Sequence, residues 1–324
     1  MILDGFFPEI NGSKNRIFAA ELFVLICSIK IFKSSSMSIK GILTGKEKKK
    51  VKAQKNSEEM SFLEHLEELR WHLVRASAAV VVSAIVVFIN AEFIMDKILF
   101  APKYPAFFTN RAFAWVARKF NSPDLAINTQ AFSIINYDMA GQFTTNLSIA
   151  MIGGIIIDIP YIFWEFWRFI KPALYEKERK HATGAVFYST LLFMLGILFG
   201  YYLIVPLSTH FFGSYRVSAE VVNQINLNSY ISAVTTVILG SGIVFELPII
   251  IFFLSKVGLI SSGFLINYRK HAYVLLLLLA AIITPPDVFS MLVVSGPLIA
   301  LYELGVFLSK RIERKRTNEE LLEA

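Results

Sequence analysis

Six apolar runs separated by short polar connections constrain this chain more than any other feature. They lie at about 73 to 92, 143 to 167, 184 to 207, 230 to 254, 271 to 284 and 288 to 308. A segment of about 20 apolar residues is long enough to cross the hydrocarbon core of a bilayer as a helix, and in lipid only a helix or a closed barrel satisfies its own backbone. The expected fold class is therefore all-α, a polytopic membrane protein with six transmembrane helices. Arg269, Lys270 and "TPPD" bound "AYVLLLLLAAII" tightly, so the fifth and sixth helices are predicted to be short.

Charge sets the orientation. The 324 residues carry a net charge of +7 and are 55% hydrophobic. The basic residues sit in blocks between apolar runs, the pattern of cytoplasmic loops and not of a nucleic-acid surface. Arg168, Lys171, Lys177, Arg179 and Lys180 follow the second run, and Lys256, Arg269 and Lys270 follow the fourth. Lys310, Arg311, Arg314, Lys315 and Arg316 follow the last. The connections after the third and fifth runs carry only Arg216 and no basic residue, respectively. Both termini are predicted to be cytoplasmic. The segment 93–142 is then a long outer-face segment, and "TNRAFAWVARKF" within it reads as an amphipathic helix lying on the membrane.

Residues 1–60 read as an N-terminal extension, poorly ordered or upstream of the true start, with Met37 or Met60 as the alternative first residue. A signal-like segment or an interfacial helix are the competing readings of "IFAAELFVLICSIKIF". Residues 61–308 form the expected membrane domain, and 309–324 a basic cytoplasmic tail. Cys27 is the only cysteine, and the five histidines never fall at metal-ligand spacing, so neither a disulfide nor a metal or other cofactor is expected.

Four stretches carry chemistry. In "SFLEHLEELRWHLVR", Phe62, Leu63, Leu66, Leu69 and Leu73 form one apolar stripe of a helix, while Glu64 and Glu68 project one turn apart. Ser61 and Glu64 fit a capping box, but Glu67 and Glu68 lie in the second turn, where the helix dipole fades. In "FWRFIKPALYEKERK", aromatic residues mark a membrane interface and Pro172 ends the run, with Glu176 and Glu178 among basic neighbours. Glu246, in "GIVFELPIIIFF", is an acid in an apolar span and is read as a polar contact site or proton-sensitive element facing the protein interior, with a packing hydrogen bond as the competing reading. Asp287, in "TPPDVFS", suits the N-cap of the last helix.

"FLEHLEELR" at 62–70, "FIKPALYEKER" at 169–179, "FELP" at 245–248 and "TPPDVFS" at 284–290 occur in that order. Together they resemble TatC, the multispanning subunit of the twin-arginine (Sec-independent) protein translocase, over about residues 60 to 310. The resemblance implies a protein that is not an enzyme. It implies a cell inner membrane subunit that binds signal peptides of folded precursors on the cytoplasmic face and works with TatA-like and TatB-like single-span partners and further copies of itself, driven by the proton-motive force. It places signal-peptide binding on Glu68, Arg70, Phe169, Pro172, Glu178 and Arg179, an intramembrane contact on Glu246 and an outer-face role on Asp287. Met291 stands where some members carry glutamine, which puts a polar role there in doubt. A solute transporter would show internal repeats and paired broken helices, and a lipid enzyme a nucleophile with its base; neither pattern is present. A scaffold for membrane partners differs from the translocase reading only in lacking signal-peptide binding.

Overall fold

Apolar runs of this length can bury their backbone polar groups only as helices, and the computed structural model bears this out over the residues it describes: 62–170, 182–218, 220, 223–284 and 288–323. The chain divides into two units, Met1–Leu66 and Glu67–Ala324. Helix α1 spans Phe62–Ile89, although its valine and isoleucine run is a poor helix former in water. After a π-helical turn at Ile94–Leu99 come α2 (Phe108–Lys119) and the 30-residue α3 (Gly141–Ile170). Helix α4 (Ala182–Phe199) passes through a π-helical segment into α5 (Val205–Ser214), which carries Pro206 in its first turn.

Helix α6 (Leu227–Phe245) stops at Glu246 and resumes as α7 (Leu247–Lys256). Pro248 lacks the N–H that would continue the ladder, and the Glu246 carbonyl instead accepts from Ile249 and Ile250, both at 3.0 Å. The short α8 (Ser262–Asn267) is capped by the Ser261 hydroxyl, which accepts from Phe264 N–H at 3.1 Å. Then follow α9 (Arg269–Ile283) and α10 (Val288–Glu323).

Among the described residues, five stretches are helices long and apolar enough to cross a membrane: Leu66–Ile89, Gly141–Ile170, Gly184–Ser214, Leu227–Lys256 and Ser290–Lys315. The remaining apolar run, α9, has 15 residues, a rise of about 22 Å against a core of about 30 Å. The expected short fifth helix is present. The expected short sixth helix is not: α10 is 36 residues long, because it continues without a break through "SKRIERKRTNEELLE", whose charges are compatible with a solvated helix. Charge here marks the end of the apolar part of the helix and not the end of the helix.

Close approach at small residues holds the bundle together. A Cβ built on Gly196 of α4 would lie 2.6 Å from the Ser241 carbonyl oxygen of α6, and one on Gly154 of α3 would lie 2.9 Å from the Val80 carbonyl oxygen of α1. These backbones meet directly, as helices in lipid do when small residues line the seam. Helix α6 presents Ile231, Val234, Ile238 and Ser241 to its neighbours, all nearly inaccessible. On its far side, α7 meets α10 through a buried hydrogen bond between Ser255 and Ser309 at 2.7 Å.

The 93–142 segment contains the expected amphipathic helix, α2, and is stitched down by two asparagines. Asn110 Nδ2 donates to the carbonyls of Pro102 and Tyr104, each at 2.8 Å. Asn128, in the left-handed region at φ 48°, donates to the Pro206 carbonyl at 2.9 Å and to Asn110 Oδ1 at 3.2 Å. A two-residue parallel pair, β1 (Ile134–Ile135) with β2 (Ile225–Asn226), joins this segment to the connection before α6.

The Gly196 contact is testable. Gly196→Val should wedge α4 away from α6 and cost about 1–3 kcal/mol, read as a lower melting temperature in detergent. Gly184→Val on the same helix, with open space around its Cβ, should leave the melting temperature unchanged.

Candidate functional site

Glu68 and His72 lie one turn apart on α1 and so share a face. Tyr161, Glu165 and Phe169 are spaced by fours on α3, and this stripe meets that face. His72 Nδ1 hydrogen-bonds Glu165 Oε2, Tyr161 donates to Glu165 Oε1 at 2.9 Å, and the Phe169 ring stands edge-on to the imidazole at 6.1 Å. His72 Nε2 lies 3.9 Å from Glu68 Oε1. Glu165 is 2% exposed and His72 6%, whereas the Glu68 side chain is 39% exposed. The result is a buried, fully hydrogen-bonded carboxylate behind an imidazole, with a second carboxylate at the surface in front of it. On the other side of α3, Trp167 packs against Phe253 of α7 at 4.0 Å, which fixes the rotation of the helix end.

Of the residues that sequence reasoning singled out, the structure brings Glu68 and Phe169 together around His72. Arg70 is exposed and pairs with Glu67 at 3.9 Å, its guanidinium 5.7 Å from the Trp71 ring. Glu67, without a role in the sequence reading, thus has a partner on its own helix. Pro172, Glu178 and Arg179 lie outside the described residues, as does Asp287.

Glu246 occupies a separate seam. It is buried at the break between α6 and α7, its polar neighbours are the Ser189 hydroxyl and the Phe193 backbone on α4, and Oε1 has no hydrogen-bond partner among the described residues. Burial in the protein interior is what an acid in an apolar span requires.

Sequence reasoning missed His72, Glu165 and Asp158. Asp158 sits in the middle of α3 beside Ser83 of α1, with Oδ2 buried and lacking a partner among the described residues. The rule that singled out Glu246, an acid inside an apolar run, applies equally to Asp158 and Glu165. His72 carried no such signal, since its spacing to other histidines was the only property weighed.

The family model for the Sec-independent protein translocase protein (TatC) matches residues 64–297. A Sec-independent protein translocase protein TatC from Blattabacterium sp. subsp. Periplaneta americana is 42% identical over 268 residues, covering 82% of this chain and all of that one. The TatCy protein of Bacillus subtilis is 33% identical over 259 residues, 79% of this chain and 91% of its own. Two crystal structures of the twin arginine translocase receptor TatC are similar in fold. One has a TM-score of 0.56 at 30% identity, covering 77% of this chain and 100% of its own. The other, in DDM, has a TM-score of 0.59 at 29% identity, covering 76% and 99%.

The buried acid at the α6–α7 break gives a prediction independent of any activity. Glu246→Gln, which keeps the shape and removes the charge, should fold with a melting temperature equal to or above wild type. Glu246→Lys, which buries a cation among apolar groups, should lose about 2.5 kcal/mol or more and accumulate poorly in membranes.

Proposed function

This chain belongs to the TatC family of Sec-independent protein translocase proteins, and we propose that it is the subunit that receives twin-arginine signal peptides of folded precursors. As a family member it is a multi-pass membrane component of a protein translocase. The proposed docking point is the end of α1 and α3. The observation that carries this reading is the Glu68 carboxylate, 39% exposed on a helix whose neighbouring face is pinned by the buried His72–Glu165 contact. Two guanidinium groups in sequence each take a carboxylate in a planar, two-pronged pair, and that geometry needs acids fixed on rigid elements. Glu68 is one such acid, and Glu178, on the connection after α3, is the second in this proposal. Arg70, Phe169, Pro172 and Arg179 complete the surface, the aromatic ring offering an apolar rest for the peptide.

In the same proposal α9 makes the fifth of six crossings by local thinning of the bilayer, and both termini are cytoplasmic, since Lys and Arg concentrate on that side. The extension 1–60 and the tail 309–324 then flank a membrane domain in the cytoplasmic (inner) membrane. TatA-like and TatB-like single-span helices and further copies of the chain are the partners, with Glu246 as the polar contact within the membrane and Asp287 on the outer face. The proton-motive force drives transport, and no nucleotide or other cofactor is involved.

Charge reversal tests the docking point. Glu68→Lys or Glu178→Lys should abolish export of an Arg-Arg precursor while the chain still inserts, and Glu68→Asp should retain part of the activity. Export at the wild-type rate in both reversed variants would sink the receptor reading. Site-specific crosslinks from positions 62–70 and 169–179 should be stronger to an Arg-Arg signal peptide than to its Lys-Lys counterpart, and equal yields would favour a scaffold.

A further inference from the structure

The cluster behind Glu68 holds a titratable group that the receptor reading does not use. His72 is buried between two carboxylates, with Nδ1 on Glu165 and Nε2 3.9 Å from Glu68. The first contact is a hydrogen bond; the second is longer than one and within ion-pair reach. A neutral imidazole has a single N–H and serves one carboxylate, whereas an imidazolium donates from both nitrogens. Glu165 is already committed: one oxygen takes His72 and the other the Tyr161 hydroxyl at 2.9 Å. The proton that is free to come and go is therefore the one on the Glu68 side. Charged groups close to this cluster include Arg75 of α1 and Arg168 of α3, both within electrostatic reach of Tyr161, and the exposed Glu67–Arg70 pair that flanks Glu68 on α1.

Resting on the receptor reading above, we infer that His72 is a positioning residue for Glu68, whose protonation withdraws that carboxylate from an incoming arginine. With the imidazole neutral, its N–H stays on Glu165 and a lone pair faces Glu68, which leaves both Glu68 oxygens to a guanidinium. With the imidazolium, Glu68 is drawn toward Nε2, one oxygen is claimed, and a buried positive charge stands beside the arginine's own. A planar two-pronged pair needs both oxygens, so the competition is direct. The buried Glu165–Tyr161 pair holds the ring in register and gives the added proton its counter-charge. Binding of an arginine pair should then weaken as pH falls and the imidazole takes up its second proton.

The experiment measures binding of a fluorescent signal peptide, free of histidine and acidic residues, to the full-length chain in inverted membrane vesicles over roughly pH 5 to 8. The wild-type chain should bind the Arg-Arg peptide roughly two- to fivefold more weakly at the acid end, the size of a partly exposed ion pair gained or lost. His72→Gln should bind at the level of the wild-type alkaline limit with a flat pH profile. His72→Lys, permanently charged, should be flat at the weak level. Detergent melts of both variants separate lost binding from lost fold, and either variant alone suffices should the other fail to accumulate. A His72→Gln or His72→Lys chain that keeps the wild-type pH dependence overturns the inference while leaving the receptor reading intact. Equal binding of Arg-Arg and Lys-Lys peptides by the wild-type chain overturns the receptor reading, and the inference with it.

Discussion

The bundle depends on the seam where α4 and α6 meet backbone to backbone. Lipid tails are as apolar as leucine, so burying leucine between two helices gains little in a membrane, and close packing must supply the attraction instead. Gly196 and Gly200 on one helix and Ser241 and Gly242 on the other let the two approach until a single added carbon on Gly196 or Gly200 would collide. Beside this seam, the break that Pro248 imposes at Glu246 falls against Ser189 and Phe193 of α4, and α7 meets α10 at Ser255 and Ser309.

Buried polar groups fall into two kinds. Glu165 has both oxygens hydrogen-bonded by side chains from two helices, and Asn110 and Asn128 spread their donors over carbonyls of the 93–142 segment and α5. Such groups stabilise, since their desolvation is offset by hydrogen bonds made in a low-dielectric setting. Glu246 Oε1 and Asp158 Oδ2 are buried without that compensation among the described residues. An incompletely satisfied acid costs free energy.

Much of the architecture was legible in the residues. The apolar runs mark the helices, the amphipathic pattern at 109–120 anticipates α2, and "FELP" places an acid beside a helix-breaking proline where α6 gives way to α7. The reach of α10 is not legible in hydropathy, because a helix tolerates charge wherever it leaves the apolar layer. At the site, Glu68 stood out because an acid before an apolar run is unexpected. His72 did not, because nothing within α1 marks it: its partner is 93 residues away.

The sequence by itself determined which stretches must be helices, how long their apolar parts are, and which family's motifs they carry. These properties are local, written in hydropathy, proline placement and short spacings that each segment shows alone. Only the tertiary structure decided that α1 and α3 join through His72 and Glu165, that Glu246 faces α4, and that two asparagines fasten the 93–142 segment. Those pairings depend on the rotation and depth of each helix relative to its neighbours. Packing at glycine and serine seams fixes these, and a period of 3.6 residues along one helix says nothing about which other helix its polar face will meet.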